Sequence, residues 1–368
     1  MLNISKRTTN SFRRIWTVLL ILLMAGCNMP AASTPTPDLF ATLQASTPLT
    51  ASTLDPLETP QATATGLSVN VPSPTPASTR LPGEGIPPPS PADGLTGRIV
   101  FTCQIFRVQA SNQICIMNAD GSGFRRLTTD DSRQHLYASL SPDGQSVFYS
   151  AFYETNNYEI FELRLNDGSV RRITNSPVME SAPELSPDGT TLVYARYNPN
   201  TERFQIILSE RNGNDPGNIP GASGWDPTWS PDGRQVLFAS DERGSVQLYA
   251  VRLDGRELRA ISNLPAIRGR NDWSPDGNSI VTYSGASWER ELFIMDADGS
   301  NVRQLTPSGG NSQGPSFSPD GRWVAFTAYF DNYRDDHGCE IYIIRVDGTD
   351  LRRLTNNTYC DYQPRWGP

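Results

Sequence analysis

Short runs of alternating apolar and polar residues return along the chain at a period of about 44 residues, and each set is punctuated by the same turn. The turn reads Ser-Pro-Asp-Gly at Ser141–Gly144, Ser186–Gly189, Ser230–Gly233, Ser274–Gly277 and Ser318–Gly321. Two residues after each comes a β-type run: VFYSA, LVYAR, VLFAS, IVTYS or VAFTA. A loop follows, then EIFELRL, QIILSER, QLYAVRL, ELFIMDA or EIYIIRV. A Gly-containing turn then leads to a short third run, VRRIT, LRAIS, VRQLT or LRRLT; GNIPG in the second full unit departs from the pattern. A last short run enters the next Ser-Pro-Asp-Gly. β-branched and aromatic alternation bounded by Asp-Gly turns is a hairpin signal. Each unit therefore predicts a four-stranded antiparallel meander, and a 40–50-residue period predicts a propeller blade.

Five units carry the turn. Before the first lie GRIVFTC, QICIMNADGS and FRRLT, three strands without an innermost one. After the fifth lies DYQPRW, an innermost strand without the rest. The two fragments complete one another. The expected fold is all-β: a six-bladed propeller of four-stranded antiparallel blades over 97–368, shut by a 1+3 clasp that leaves no open sheet edge. Leu140, Leu185, Trp229, Trp273, Phe317 and Trp366, each one residue before a turn or its equivalent, are expected between blades.

The wording of the repeats resembles the TolB-type propeller family. The resemblance rests on IMNADGSGFRRLT followed by LSPDGQSVFYS, and on FIMDADGSNVRQLT followed by FSPDGRWVAFTA. It extends over about 97–368 and implies a propeller that binds other proteins. Full TolB proteins also carry an α/β domain that binds Tol partners; here a tether is expected in its place, so a Tol–Pal role is not carried over.

The front of the chain has another logic. Lys6, Arg7, Arg13 and Arg14 precede the short apolar run TVLLILLMAG, which reads as a secretory signal over 1–26. Met24-Ala25-Gly26-Cys27 resembles the bacterial lipobox, which implies a lipid on Cys27 and anchoring to the cell membrane outside the cytoplasm. Residues 27–96 are rich in Thr, Pro, Ser and Ala and show no period of 2 or 3.6, so a disordered tether is expected. Such a coil spans roughly 45–50 Å.

The whole chain carries a net charge of −8, and loss of the signal would leave the rest near −12. The only lysine, Lys6, lies in the signal, which excludes a lysine nucleophile beyond it. An acidic domain argues against nonspecific nucleic-acid binding. With Cys27 acylated, Cys103, Cys115, Cys339 and Cys360 form an even set, as expected of two disulfides in an exported protein. Of three possible pairings we expect Cys103–Cys115 with Cys339–Cys360; Cys103–Cys360 is the rival that would lock the clasp.

Strand order assigns loops to faces. The Ser-Pro-Asp-Gly and Asp-Gly turns share one face, where turn chemistry accounts for the repeated aspartates. The other face carries the variable loops and the crossovers. Its aromatic residues Phe152, Tyr153, Tyr197, Trp288, Tyr329, Phe330 and Tyr333 are the candidate binding residues. The innermost strands offer Glu184, Asp226, Arg270, Asp272 and Arg365 to the central channel, with Ser139, Thr228 and Ser316 at equivalent positions. No Gly-x-Ser-x-Gly elbow is present. Asp335, Asp336, His337 and Cys339 cluster in sequence but match no metal-ligand spacing. We therefore read a non-catalytic binding or scaffold module, monomeric and without cofactor or metal, whose partner is an envelope protein or glycan. The alternative is a carbohydrate-active hydrolase or lyase using carboxylates at the channel mouth.

Overall fold

The computed structural model describes residues 94–105, 111–154, 157–331, 335 and 338–368. Cys27, Tyr333, Asp336, His337 and the side chain of Tyr153 lie outside the described residues.

Twenty-four strands form six four-stranded sheets. The chain enters through β1 (Arg98–Gln104), β2 (Asn112–Asn118) and β3 (Arg125–Arg126). Blade 1 is β4 (His135–Leu140), β5 (Ser146–Glu154), β6 (Asn157–Arg164) and β7 (Val170–Arg172). Blade 2 is β8 (Glu180–Leu185), β9 (Thr191–Asn198), β10 (Arg203–Glu210) and β11 (Gly217–Ser223). Blade 3 is β12 (Trp225–Trp229), β13 (Gln235–Ser240), β14 (Gln247–Arg252) and β15 (Arg259–Ala260). Blade 4 is β16 (Asp272–Trp273), β17 (Ser279–Ser284), β18 (Glu291–Asp296) and β19 (Arg303–Gln304). Blade 5 is β20 (Gln313–Phe317), β21 (Trp323–Ala328), β22 (Glu340–Arg345) and β23 (Arg352–Arg353). The last strand, β24 (Asp361–Gly367), pairs antiparallel with β1 and completes blade 6 in the order β24-β1-β2-β3. The expected six blades and 1+3 clasp are the observed ones.

The blades pack face to face through the residues the period selects. Ile99, Phe101, Met117 and Trp366 of blade 6 meet Trp323, Ala325, Ile341 and Ile343 of blade 5 in one apolar cluster. Trp229 lies between blades 2 and 3, and Phe317 between blades 4 and 5. Each Ser-Pro-Asp-Gly closes itself. The hydroxyl of Ser230 donates to Asp232 at 2.6 Å, and the same carboxylate accepts from the Arg234 amide at 3.0 Å. The other four turns repeat this pattern, so these aspartates are turn-forming residues.

A second repeated device was not read from the sequence. A Glu or Gln near the start of the third strand of a blade accepts the hydroxyl of a Thr or Ser 15 residues later. The pairs are Gln113–Thr128, Glu159–Thr174, Gln247–Ser262, Glu291–Thr306 and Glu340–Thr355. Each hydroxyl in turn accepts a strand amide, as from Ile341 at 2.9 Å, and so pins the end of the short outer strand. Gln serves where Glu does elsewhere, so the acceptor oxygen and not the charge is what the latch needs. Blade 2, with the divergent GNIPG, has Gln205 at this place and a longer, irregular β11 instead.

The disulfides are Cys103–Cys115, within blade 6, and Cys339–Cys360, which ties the start of β22 to the start of the closing strand. This is the expected pairing. The Asp361 amide donates to Cys339 O at 2.8 Å beside the second bridge. Replacing Cys339 and Cys360 together with serine is expected to cost about 3 kcal/mol from the released loop. Hydrogen exchange should show the loss first in β24. Equal exposure of all six innermost strands would contradict a local role at the clasp.

Candidate functional site

The channel is lined by the innermost strands, which place their side chains in two tiers. The first lies two residues before each turn serine: Ser139, Glu184, Thr228, Asp272, Ser316 and, in the clasp, Arg365. This tier laces blades together. Ser139 Oγ donates to Pro183 O at 2.7 Å. Glu184 Oε1 accepts from Thr228 Oγ1 at 2.9 Å and from the Trp229 amide at 3.0 Å. Asp272 Oδ2 accepts from Ser316 Oγ and the Phe317 amide, and Ser316 Oγ accepts from the Trp366 amide. Arg365 crosses the axis from blade 6. Its guanidinium lies 3.3 Å from Glu184 of blade 2 and 3.4 Å from Asp272 of blade 4, and donates to Asn271 O at 3.1 Å. Burial pushes the Glu184 carboxyl above its ordinary range, although Arg365 opposes this. Burial also works against the Arg365 charge, but Asp272 and Glu184 outweigh it.

The second tier lies two residues further back: Tyr137, Ala182, Asp226, Arg270, Gly314 and Gln363. All six adopt a left-handed backbone, with φ between 35° and 59°. A register shift beside the residue accompanies this in five of the blades. The bulge turns the strand so that this side chain points along the channel instead of into the next blade. Five of the six are not glycine, a conformation that costs on the order of 1 kcal/mol or more each. Arg270 of blade 4 reaches the Tyr137 ring of blade 1, 5.2 Å from its centroid. Its amide donates to Asp226 Oδ2 at 2.9 Å. Burial pushes the Asp226 carboxyl up and opposes the charge of Arg270.

The structure thus brings the five channel residues together. Two arginines cross the channel among them, Arg365 from blade 6 and Arg270 from blade 4. The space left among Tyr137, Ser139, Glu184, Asp226, Arg270 and Arg365 offers a water centre about 10 Å³, which is room for about one water molecule. It is not a ligand-sized cavity.

The opposite, variable face divides the aromatic residues into two kinds. Phe152 and Tyr158 are cross-strand partners, as are Tyr197 and Phe204, with ring centroids 5.2 and 5.4 Å apart. These pairs brace their own hairpins. Phe330 sits over Gly310 and edge-on to Tyr342 at 5.4 Å. Trp288 and Tyr329 differ. They come from loops of neighbouring blades, 4 and 5, and meet edge-to-face at 5.0 Å, half-buried like the other aromatic residues of this face. Trp288 holds this position with φ 67°. Below it Arg290 Nη1 donates to Gln313 Oε1 at 2.6 Å, tying the loop to the innermost strand of blade 5.

Among the described residues no three His, Cys, Asp or Glu side chains are grouped as metal ligands would be. His135 opens β4 beside the Tyr149 ring, and burial lowers its pKa to about 4. Its imidazole is neutral at physiological pH. Sequence reasoning missed Tyr137, Asn271 and Arg290, because nothing in their own type marks the tier or loop that positions them.

A family model described as the TolB beta propeller domain matches residues 93–330. The Tol-Pal system protein TolB of Anaeromyxobacter sp. (strain K) is 28% identical over 162 residues, 44% of this chain and 24% of that protein. The uncharacterized peptidase YuxL of Bacillus subtilis (strain 168) is 34% identical over 93 residues, 23% of this chain and 14% of that protein. The chain spans less than a quarter of the length of the curated relatives it matches. The crystal structure of TolB from Acinetobacter baumannii superposes with a TM-score of 0.65 at 23% identity, covering 74% of this chain and 67% of that one. At this identity the likeness speaks for the fold alone. The family model reaches from the first strand into blade 5, well over half of the sequence, and the chain belongs to the TolB β-propeller family.

Proposed function

We propose that this protein is a lipid-anchored, extracytoplasmic binding module. Residues 1–26 are its signal, Cys27 bears the lipid, 27–96 is the tether, and the propeller presents its crossover face to an envelope protein or glycan. The observation that carries this reading is the division of labour between the two faces. One face repeats a self-satisfied turn five times, whereas the other varies its loops and holds an aromatic pair between two blades. Two disulfides fit an oxidising compartment outside the cytoplasm.

The carboxylates considered for catalysis favour binding over turnover. Glu184 and Asp272 are both engaged by Arg365 and by neighbouring blades, which leaves neither poised to exchange a proton with a substrate. Two measurements test the proposal. Growth with an alkyne-bearing fatty acid should label the full-length protein, and Cys27→Ser should abolish the label and release the protein from membranes. Capture of envelope components by the full-length protein should be retained in Glu184→Gln. Labelling that persists in Cys27→Ser would refute the anchor. Turnover of an envelope polysaccharide that Glu184→Gln abolishes would replace binding with catalysis.

A further inference from the structure

We infer that the inter-blade patch formed by Trp288 and Tyr329 is a carbohydrate-binding site. The inference rests on the binding-module reading above and names its ligand class and its place. Three observations on the blade 4–blade 5 boundary carry it.

The first is conformational. A tryptophan gains nothing locally from a left-handed backbone, yet Trp288 is held at φ 67° in the loop between β17 and β18. The loop around it is built to hold it there: Gly285 makes the tight start at φ 132°, and the Glu289 amide donates to Ala286 O at 3.0 Å. Strain of this kind persists where surrounding structure enforces it, and it collects at ligand sites.

The second is chemical. The two rings are half-buried, as Phe152 and Tyr197 are, but they meet edge-to-face at 5.0 Å across a blade boundary, whereas the aromatic pairs of blades 1 and 2 brace single hairpins. The neighbouring segments carry two planar polar side chains that each have a buried atom without a hydrogen-bond partner, Arg290 Nε and Asn311 Oδ1. Both belong to the segments that hold the patch together: the Ser312 backbone amide donates to Arg290 O at 2.6 Å, and the Gln313 side chain donates through Nε2 to Asn311 O at 3.4 Å. Asn311 is itself left-handed, at φ 46°. A buried polar atom left without a partner costs free energy that a ligand or water can recover. An aromatic face set against guanidinium and amide groups complements a sugar ring, which presents C–H faces and paired hydroxyls.

The third concerns the surroundings. A protein interface wants a contiguous apolar patch at its centre. Among the described residues the large hydrophobics that are well exposed are Phe124 and Val170. They flank the Asp-Gly turns of blades 6 and 1, on the other face. Ala286, Ser287 and Glu289 around Trp288 are exposed, and two of the three are polar. Aromatic rings set in a polar field fit a glycan better than a protein.

The test uses the full-length protein in detergent, with N-acetylchitohexaose, a mixed-linkage β-glucan and an α-mannan as probes, read by tryptophan fluorescence titration and gel retardation. At least one probe should bind, and Trp288→Gly and Tyr329→Ala should each weaken binding about tenfold or more, as expected of a central aromatic anchor. Glycine suits φ 67°, so Trp288→Gly should keep the melting temperature within about 2 °C of the parent. Val170→Ser, on the opposite face, should bind as the parent does. The assignment falls if none of the three probes binds, or if Trp288→Gly binds as tightly as the parent. If an envelope protein is captured through Trp288 while no probe binds, the binding-module reading stands and the carbohydrate assignment alone is overturned.

Discussion

Replacing Arg365 with methionine is expected to cost the fold about 3–5 kcal/mol, the usual penalty for removing one partner from a buried ion pair. That corresponds to a fall of roughly 10 °C in the midpoint of thermal unfolding for a domain of this size. Arg365 lies on the closing strand and meets Glu184 of blade 2 and Asp272 of blade 4. Without it Glu184 and Asp272 keep their hydrogen bonds to the next blades but lose the cation between them. The sign of the pH dependence follows. Burial already pushes the Glu184 carboxyl up, and removing the cation pushes it further. A raised carboxyl binds its proton more tightly in the folded state than in the unfolded one. The deficit should therefore be smaller at low pH, where the Glu184 carboxyl can be protonated, and should grow toward neutrality. Arg365→Lys should recover part of the loss, since an ammonium cannot match both carboxylates and Asn271 O as the planar fork does. Urea unfolding at pH 4 and pH 7 provides the measurement. A loss below about 1 kcal/mol at both pH values would mean that Arg365 is no more than a solvated surface charge.

The second large effect concerns Asp361, the first residue of the same strand. It pairs with Cys103, follows Cys360, and accepts from Asn357 Nδ2 at 2.6 Å. Burial first, and then the nearby charge of Glu340, push its carboxyl up to about 8. The unfolded chain titrates this group near 4, so between about pH 4 and pH 8 the folded state holds a proton that the unfolded state has released. Stability should fall steadily as pH rises through that window, by on the order of 5 kcal/mol as an upper bound. The other charged groups here are Asp331 and Arg353, which meet each other, while Arg353 also lies 3.4 Å from Glu340. Asp361→Asn keeps an acceptor for Asn357 and removes the titration. It should flatten the slope and leave the variant more stable than the parent at pH 8. Parallel pH profiles for the two proteins would place the titration elsewhere.

Much of this molecule was legible before any coordinates. The 44-residue period, the Asp-Gly turns and two complementary end fragments led to six blades and to their closure. The same alignment favoured the observed disulfide pairing without excluding Cys103–Cys360, because strand order places Cys103 across a hairpin from Cys115 and Cys339 beside the closing strand. These inferences succeed because strand alternation and turn chemistry are local, and because a repeat states them five times.

The channel was legible only in part. Counting back from each turn found Glu184, Asp226, Arg270, Asp272 and Arg365, but not what they do. Left-handed backbone is normally advertised by Gly or Asn. In the second tier only Gly314 is of that kind, while Tyr137, Ala182, Asp226, Arg270 and Gln363 take the same conformation. The bulge that imposes it is a property of two paired strands, so no single residue carries the signal. The Glu or Gln latch escaped for a related reason: its partners stand 15 residues apart, a spacing that means nothing until the hairpin brings them together.

What the sequence determined by itself was architecture, because period, alternation and turn residues act within a few positions of one another. Contacts across the axis and between blades were decided only by the tertiary structure. Arg365 meets Glu184 and Asp272 from two other blades, and Trp288 meets Tyr329 from the next one. Such encounters depend on where closure of the ring delivers side chains that are 41 to 181 residues apart. The same closure turned the clasp strand from an incomplete repeat into the element that carries Arg365 across the channel.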